Sequence, residues 1–187
     1  NIWRSKDLAN WEIAGYALTD ERYVDMTGID TSCGIWAPNL TYYDGLFYLL
    51  YTIVYTDRRR YKDTYNYLVT AKDVKGPWSE PVFLNCSGFD PSLFHEGKKK
   101  YLVNMVMDHR VGRELFAGIE VQEYDPQLKR LVGTPVRVTA GTSRRVTEGP
   151  NIIKKDGYYY LTLAEGGTMY NHCTTVLRSR NLFGPYE

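Results

Sequence analysis

The strongest constraint in this chain is an internal repeat. The segments Trp36-Ala37-Pro38-Asn39-Leu40, Phe89-Asp90-Pro91-Ser92-Leu93 and Glu148-Gly149-Pro150-Asn151-Ile152 each carry a proline followed by a short apolar or alternating run. Each run meets an acid plus glycine, at Asp44-Gly45, Glu96-Gly97 and Asp156-Gly157. Such a pair between strand-like runs signals a tight hairpin, because glycine accepts the positive φ that the turn demands. An aromatic-rich strand follows each time, at Phe47-Tyr48-Leu49-Leu50-Tyr51, Tyr101-Leu102-Val103-Asn104-Met105 and Tyr158-Tyr159-Tyr160-Leu161-Thr162. The prolines Pro38, Pro91 and Pro150 lie 53 and 59 residues apart.

A second marker closes each copy. It reads Ala71-Lys72-Asp73-Val74 with Gly76-Pro77-Trp78, then Glu123-Tyr124-Asp125-Pro126, then Arg178-Ser179-Arg180-Asn181-Leu182 with Gly184-Pro185-Tyr186. The opening Arg4-Ser5-Lys6-Asp7-Leu8 is a fourth copy of that marker. No amphipathic helix longer than two turns fits between the markers. A repeat of this length made of four strands is a blade of a β-propeller. A two-sheet sandwich would not repeat a hairpin motif in this way. The expected fold is therefore all-β. Residues 1–20 read as the end of one blade, 35–85 and 88–140 as complete blades, and 147–187 as most of another. Closed propellers need at least about four blades. These three and a half are expected to be a fragment, completed by missing blades or by self-association.

Bulk properties remove several function classes. A formal net charge of +1 leaves no electrostatic footprint for nucleic acid. No run of apolar residues is long enough to span a membrane. Cys33, Cys86 and Cys173 are odd in number and far apart, forming neither a disulfide framework nor a zinc pattern. The basic runs Arg58-Arg59-Arg60 and Lys98-Lys99-Lys100 read as solvated loop tips. The chain begins at Asn1 inside strand-like residues, so any targeting signal is expected upstream and localisation is not legible. Its 17 tyrosines suit pleated strands, and aromatic faces also suit the C–H faces of sugar rings.

In a propeller the first strand of each blade lines the central channel, and its start faces a common mouth. The repeat puts different residues at one structural spot there: Trp36 or Ala37, Phe89 or Asp90, Glu148 or Gly149. Two acids converging from different blades is what glycoside hydrolysis needs, one protonated to protonate the leaving oxygen and another ionised. The same acids could instead cap turns beside their prolines, and pattern alone leaves both readings open. His172, after a Gly-Gly loop, could reach the pocket or serve as a structural histidine. His95 and His109 read as exposed. Asp108, His109 and Glu114 follow no metal-ligand spacing.

Several ordered stretches resemble one known family. Gly34-Ile35-Trp36-Ala37-Pro38, Gly88-Phe89-Asp90-Pro91-Ser92-Leu93-Phe94 and Thr147-Glu148-Gly149-Pro150-Asn151 look like signature segments of glycoside hydrolase family 43. So does Ser5-Lys6-Asp7-Leu8-Ala9-Asn10-Trp11. The run from Ala164 to His172, with Lys75-Gly76-Pro77-Trp78-Ser79 and Gly184-Pro185-Tyr186-Glu187, is similar to the β-xylosidase branch. The resemblance implies a five-bladed propeller that cleaves xylo-oligosaccharides with inversion as an exo-acting β-1,4-xylosidase. Release of arabinofuranose stays open beside it, as does an arabinofuranosidase or arabinanase of the same family. A non-catalytic sugar-binding propeller is the reading from another class.

Carried over by position, the resemblance makes Glu148 the general acid and Asp90 the carboxylate that orients it and tunes its pKa. Trp36 and Phe89 would wall the sugar pocket. The family's general base is an Asp in a Pro-Asp-Pro type segment ahead of the Ser-Lys-Asp-Leu marker, and no such segment stands among these residues. Asp7 belongs to the marker itself and reads as a turn acid, while Asp25 and Asp30 sit in a loop. The chain alone is therefore expected to be inactive. No cofactor is required; a channel calcium occurs in some relatives, and nothing in these residues demands one.

Overall fold

The computed structural model describes residues 1–58 and 60–187, so Arg59 of the first basic run lies outside the described residues. Among them there are thirteen strands and no helix. A two-stranded sheet pairs β1 (Ile2–Ser5) with β2 (Trp11–Gly15). Two four-stranded antiparallel sheets follow in simple meander order. The first holds β3 (Gly34–Tyr43), β4 (Leu46–Arg58), β5 (Tyr61–Ala71) and β6 (Val82–Asn85). The second holds β7 (Ser92–Glu96), β8 (Lys99–Met107), β9 (Phe116–Asp125) and β10 (Arg130–Thr139). A three-stranded sheet of β11 (Thr147–Lys155), β12 (Tyr158–Glu165) and β13 (Cys173–Ser179) completes the chain. These are propeller blades.

The turn chemistry explains the hairpins. Asp44-Gly45 and Asp156-Gly157 have positive φ at both central residues, the geometry whose twist matches paired strands. The remaining hairpin differs. Glu96 pairs with Lys99 inside the ladder, and the two-residue turn is Gly97-Lys98 with positive φ at Gly97 alone. Glycine in the first central position selects the alternative tight turn, which shifts the loop by one residue.

Strand alternation shows why the blades stack. On β4, Leu49, Tyr51 and Ile53 enter a core with Tyr23, Val69 and Trp78. Tyr48 and Leu50 point the opposite way, into a core shared with Leu68, Leu93, Leu102 and Tyr124. On β8, Tyr101, Val103, Met105 and Met107 enter another core with Ile152, Leu161 and Leu163 of the last blade. Period-two alternation with both faces apolar demands a neighbour on each side. Each fully buried leucine among these contributes roughly 1.5–3 kcal/mol.

Two surface expectations need correction. Lys100 is only 7% exposed, its Nζ lying over the rings of Tyr43 and Tyr48. Arg60 donates to the carbonyls of Arg110 and Arg113 in the next blade's β8–β9 loop. Neither side chain is a solvated tip, because apolar stems and planar cations can be covered while their charge is satisfied.

Candidate active site

The proline segments open the inner strands, and their geometry is shared. On β3, Trp36 pairs with Thr52 but Asn39 with Leu50, so one extra residue bulges out. On β11, Glu148 pairs with Ala164 but Asn151 with Thr162, the same bulge. The residue before each proline has positive φ: 43° at Ala37, 54° at Asp90 and 56° at Gly149. That conformation is disfavoured for a residue with a Cβ and again before proline. Backbone held this way costs on the order of 1–3 kcal/mol and gathers at functional sites.

The positive φ before each proline establishes the equivalences. Ala37, Asp90 and Gly149 correspond, and Trp36, Phe89 and Glu148 precede them. The two acids therefore do not share one structural spot; they occupy neighbouring registers on adjacent blades. The offset brings them together. The Gly149 N–H donates to Asp90 Oδ2 at 2.9 Å, so the Asp90 carboxylate grips the backbone directly after Glu148. Residues 37–39, 90–92 and 149–151, from three adjacent sheets, line one hollow of about 150 Å³. Ser92 Oγ donates to Pro150 O at 2.5 Å and Asn39 Nδ2 to Asn151 Oδ1 at 3.0 Å across it.

A buried amide relay supports the Asp90 segment. Thr52 Oγ1 donates to Asn66, and Asn66 Nδ2 donates to Asn85 Oδ1 and to the Gly88 carbonyl. Asn85 in turn reaches Asn104, whose Nδ2 contacts Ser87 Oγ. Gly88 could not carry a side chain, since a Cβ would meet Met105 O at 2.1 Å.

Burial acts in the same direction on both acids. Burial, and then the charge of Asp90, raise the pKa of Glu148; Lys62 and His172 work against them. Burial also raises Asp90, and the Gly149 N–H tempers that rise. A carboxyl in this setting keeps its proton to higher pH than a solvated one.

Trp36 is half-buried and meets Phe89 edge-on, with ring centroids 5.6 Å apart and planes at 89°. Phe89 is only 5% exposed and belongs to the core, so it backs Trp36. Lys62 Nζ lies 5.3 Å from the Trp36 ring centroid and pairs with Asp57. Sequence reasoning missed Lys62, because only the reach of the β4–β5 hairpin brings it to Glu148. His172 is exposed, and its Nδ1 lies 2.7 Å from Gly167 O. A carbonyl only accepts, so Nδ1 carries the proton there.

Other candidates lie apart. Asp7 is exposed and caps its own turn, accepting from the N–H groups of Ala9 and Asn10. Asp25 accepts from Thr27 N–H, and Asp30 pairs with Arg58. His95 is not exposed as expected: it stacks on Tyr43, and burial and Lys100 lower its pKa to about 4. His109 is likewise half-buried, stacked on Tyr61.

The model of the glycosyl hydrolases family 43 matches residues 1–187. The chain belongs to glycosyl hydrolase family 43. Within the family it is similar to the xylosidase/arabinosidase 43B of Humicola insolens and to the β-xylosidase of Bacillus subtilis strain 168. Each is 49% identical over 187 residues, covering all of this chain and 35% of the relative. The solved xylan β-1,4-xylosidase from Bacillus halodurans C-125 superposes with a TM-score of 0.96 at 51% identity, over 99% of this chain and 36% of that one. This family-43 chain thus spans about a third of the length of those relatives.

Proposed function

We propose that the full-length protein is a glycoside hydrolase that releases xylose from xylo-oligosaccharides, with Glu148 as proton donor to the leaving oxygen. The observation that carries this reading is the Asp90 carboxylate bonded to Gly149 N–H beside a buried Glu148. A proton donor must stay protonated near the working pH, and burial beside a second carboxylate does that. Asp90 orients and tunes the acid, Trp36 forms one wall with Phe89 packed behind it, and His172 stands at the rim. Inversion further requires a carboxylate to activate water on the opposite face of the sugar. In this reading it comes from outside residues 1–187. Exposed Trp3, Trp11 and Ile13 on one flank and Ile153 and Val176 on the other are surfaces that further blades, or a second copy, would cover. The name of the Humicola insolens relative favours release of arabinose as a second activity.

Glu148→Gln in the full-length protein tests the assignment. Turnover of xylobiose should fall by about 10²–10⁴-fold, and turnover of dinitrophenyl xyloside far less, since that leaving group needs no proton. Equal losses on both would contradict it.

A further inference from the structure

One ionisable group is left without a role by this reading. Glu165, the last residue of β12, is fully buried, at 0% exposure. A carboxylate out of water is strongly unfavourable unless its lone pairs are filled. Here all its hydrogen-bond donors are neutral. Thr142 gives its N–H at 3.1 Å and its hydroxyl at 2.9 Å, Thr147 its hydroxyl at 2.9 Å and Thr175 its hydroxyl at 2.7 Å. Burial works to raise the Glu165 pKa, but these bonds outweigh it and leave the group below its usual range. The carboxylate is ionised and saturated, so it is no proton donor itself.

Its partners explain its place. Thr147 directly precedes Glu148 and faces Glu165 across the β11–β12 ladder. Thr142 belongs to the loop entering β11, and Thr175 to β13. The Thr147 hydroxyl also lies 3.1 Å from Arg145 O, but it has one proton, and the charged acceptor is the stronger partner. On the other side, Gly166 begins the loop that ends at His172. A Cβ on Gly166 would meet Asn171 O at 2.2 Å, so this loop closes tightly on its root. The mouth ends of the Glu148 strand and of the His172 loop are thus both tied to one buried charge.

We propose that Glu165 is a positioning residue, whose carboxylate fixes Thr147 and through it the orientation of the Glu148 carboxyl for proton donation. The proposal rests on Glu148 as the donor. A displacement near 1 Å at a reacting group can lower turnover by about 10²-fold. A misaimed acid hurts only substrates whose leaving group needs the proton.

The test compares kcat and KM for xylobiose and dinitrophenyl xyloside in the full-length protein. Glu165→Gln keeps the volume but turns an amide NH2 toward donors. It should lower kcat for xylobiose by about 10-fold or more and for the activated substrate by less than about 3-fold, with KM little changed. Thr147→Val should reproduce this split and Thr147→Ser, which keeps the hydroxyl, should hold kcat near the unmutated level on both substrates; this keeps the test open if Glu165→Gln fails to fold. Equal losses on both substrates, or reduced thermal stability with unchanged kcat, would show a brace alone and overturn the proposal. Glu148→Gln run in parallel separates the failures. If it shows the split and the Glu165 and Thr147 variants do not, only the positioning role falls. If it shows none, the donor reading falls and this proposal with it.

Discussion

At Glu148, burial and the Asp90 charge favour the neutral carboxyl, while Lys62 and His172 favour the ionised one. The upper limb of a pH–rate profile reports loss of the acid's proton. Removing the Asp90 charge removes one of the two raising influences, so Glu148 ionises at lower pH. In Asp90→Asn, the upper pKa of the profile should move down and kcat should fall. Titration of kcat/KM across pH checks this, and an unmoved upper limb would leave Asp90 a structural turn residue. Asp90 and Glu148 stood out in the sequence because each falls within two residues of a repeated proline, and the family resemblance supplied their roles. Lys62 did not, since its approach to Trp36 and Glu148 depends on strand pairing distant from both in the sequence. Glu165 stands in the run from Ala164 to His172, yet nothing local indicates that its donors come from Thr142, Thr147 and Thr175.

The elements that place these residues are inner strands entered through bulges. Glycines there act for different physical reasons. Gly149 has φ +56°, and a Cβ would meet only the Ala164 side chain, at 3.8 Å. Gly149→Ala should therefore cost only the left-handed backbone, about 1–2 kcal/mol. Gly88 has an ordinary φ, but a Cβ would press into the Met105 backbone at 2.1 Å. Gly88→Ala must displace the segment before Asp90 and should cost more, about 3 kcal/mol. Denaturant titration of both variants tests this order, and the reverse order would mean the close approach is readily relieved. The sequence disclosed the hairpins by their Asp-Gly pairs. It misplaced the Glu96 turn by one residue, because glycine's own φ, and not the preceding acid, decided the register. It also treated the acids as sharing one spot, although Asp90 stands one residue before its proline and Glu148 two.

Across the whole molecule, blades stack through alternating strands whose two faces feed different cores. That arrangement was readable from the repeat, because a four-strand hairpin unit recurring about every 50–60 residues, with no helix between copies, stacks as blades. The stack brings Asp90 and Glu148 together from adjacent blades, and this juxtaposition is the centre of the account. In the proposed reading a carboxylate from outside residues 1–187 activates water on the face of the sugar opposite Glu148, so the anomeric centre inverts. Proton NMR of the first product from a β-xyloside, with the full-length protein, reads that directly. The account predicts α-xylose first, with the β-anomer growing in only by mutarotation; β-xylose as the first product would contradict it.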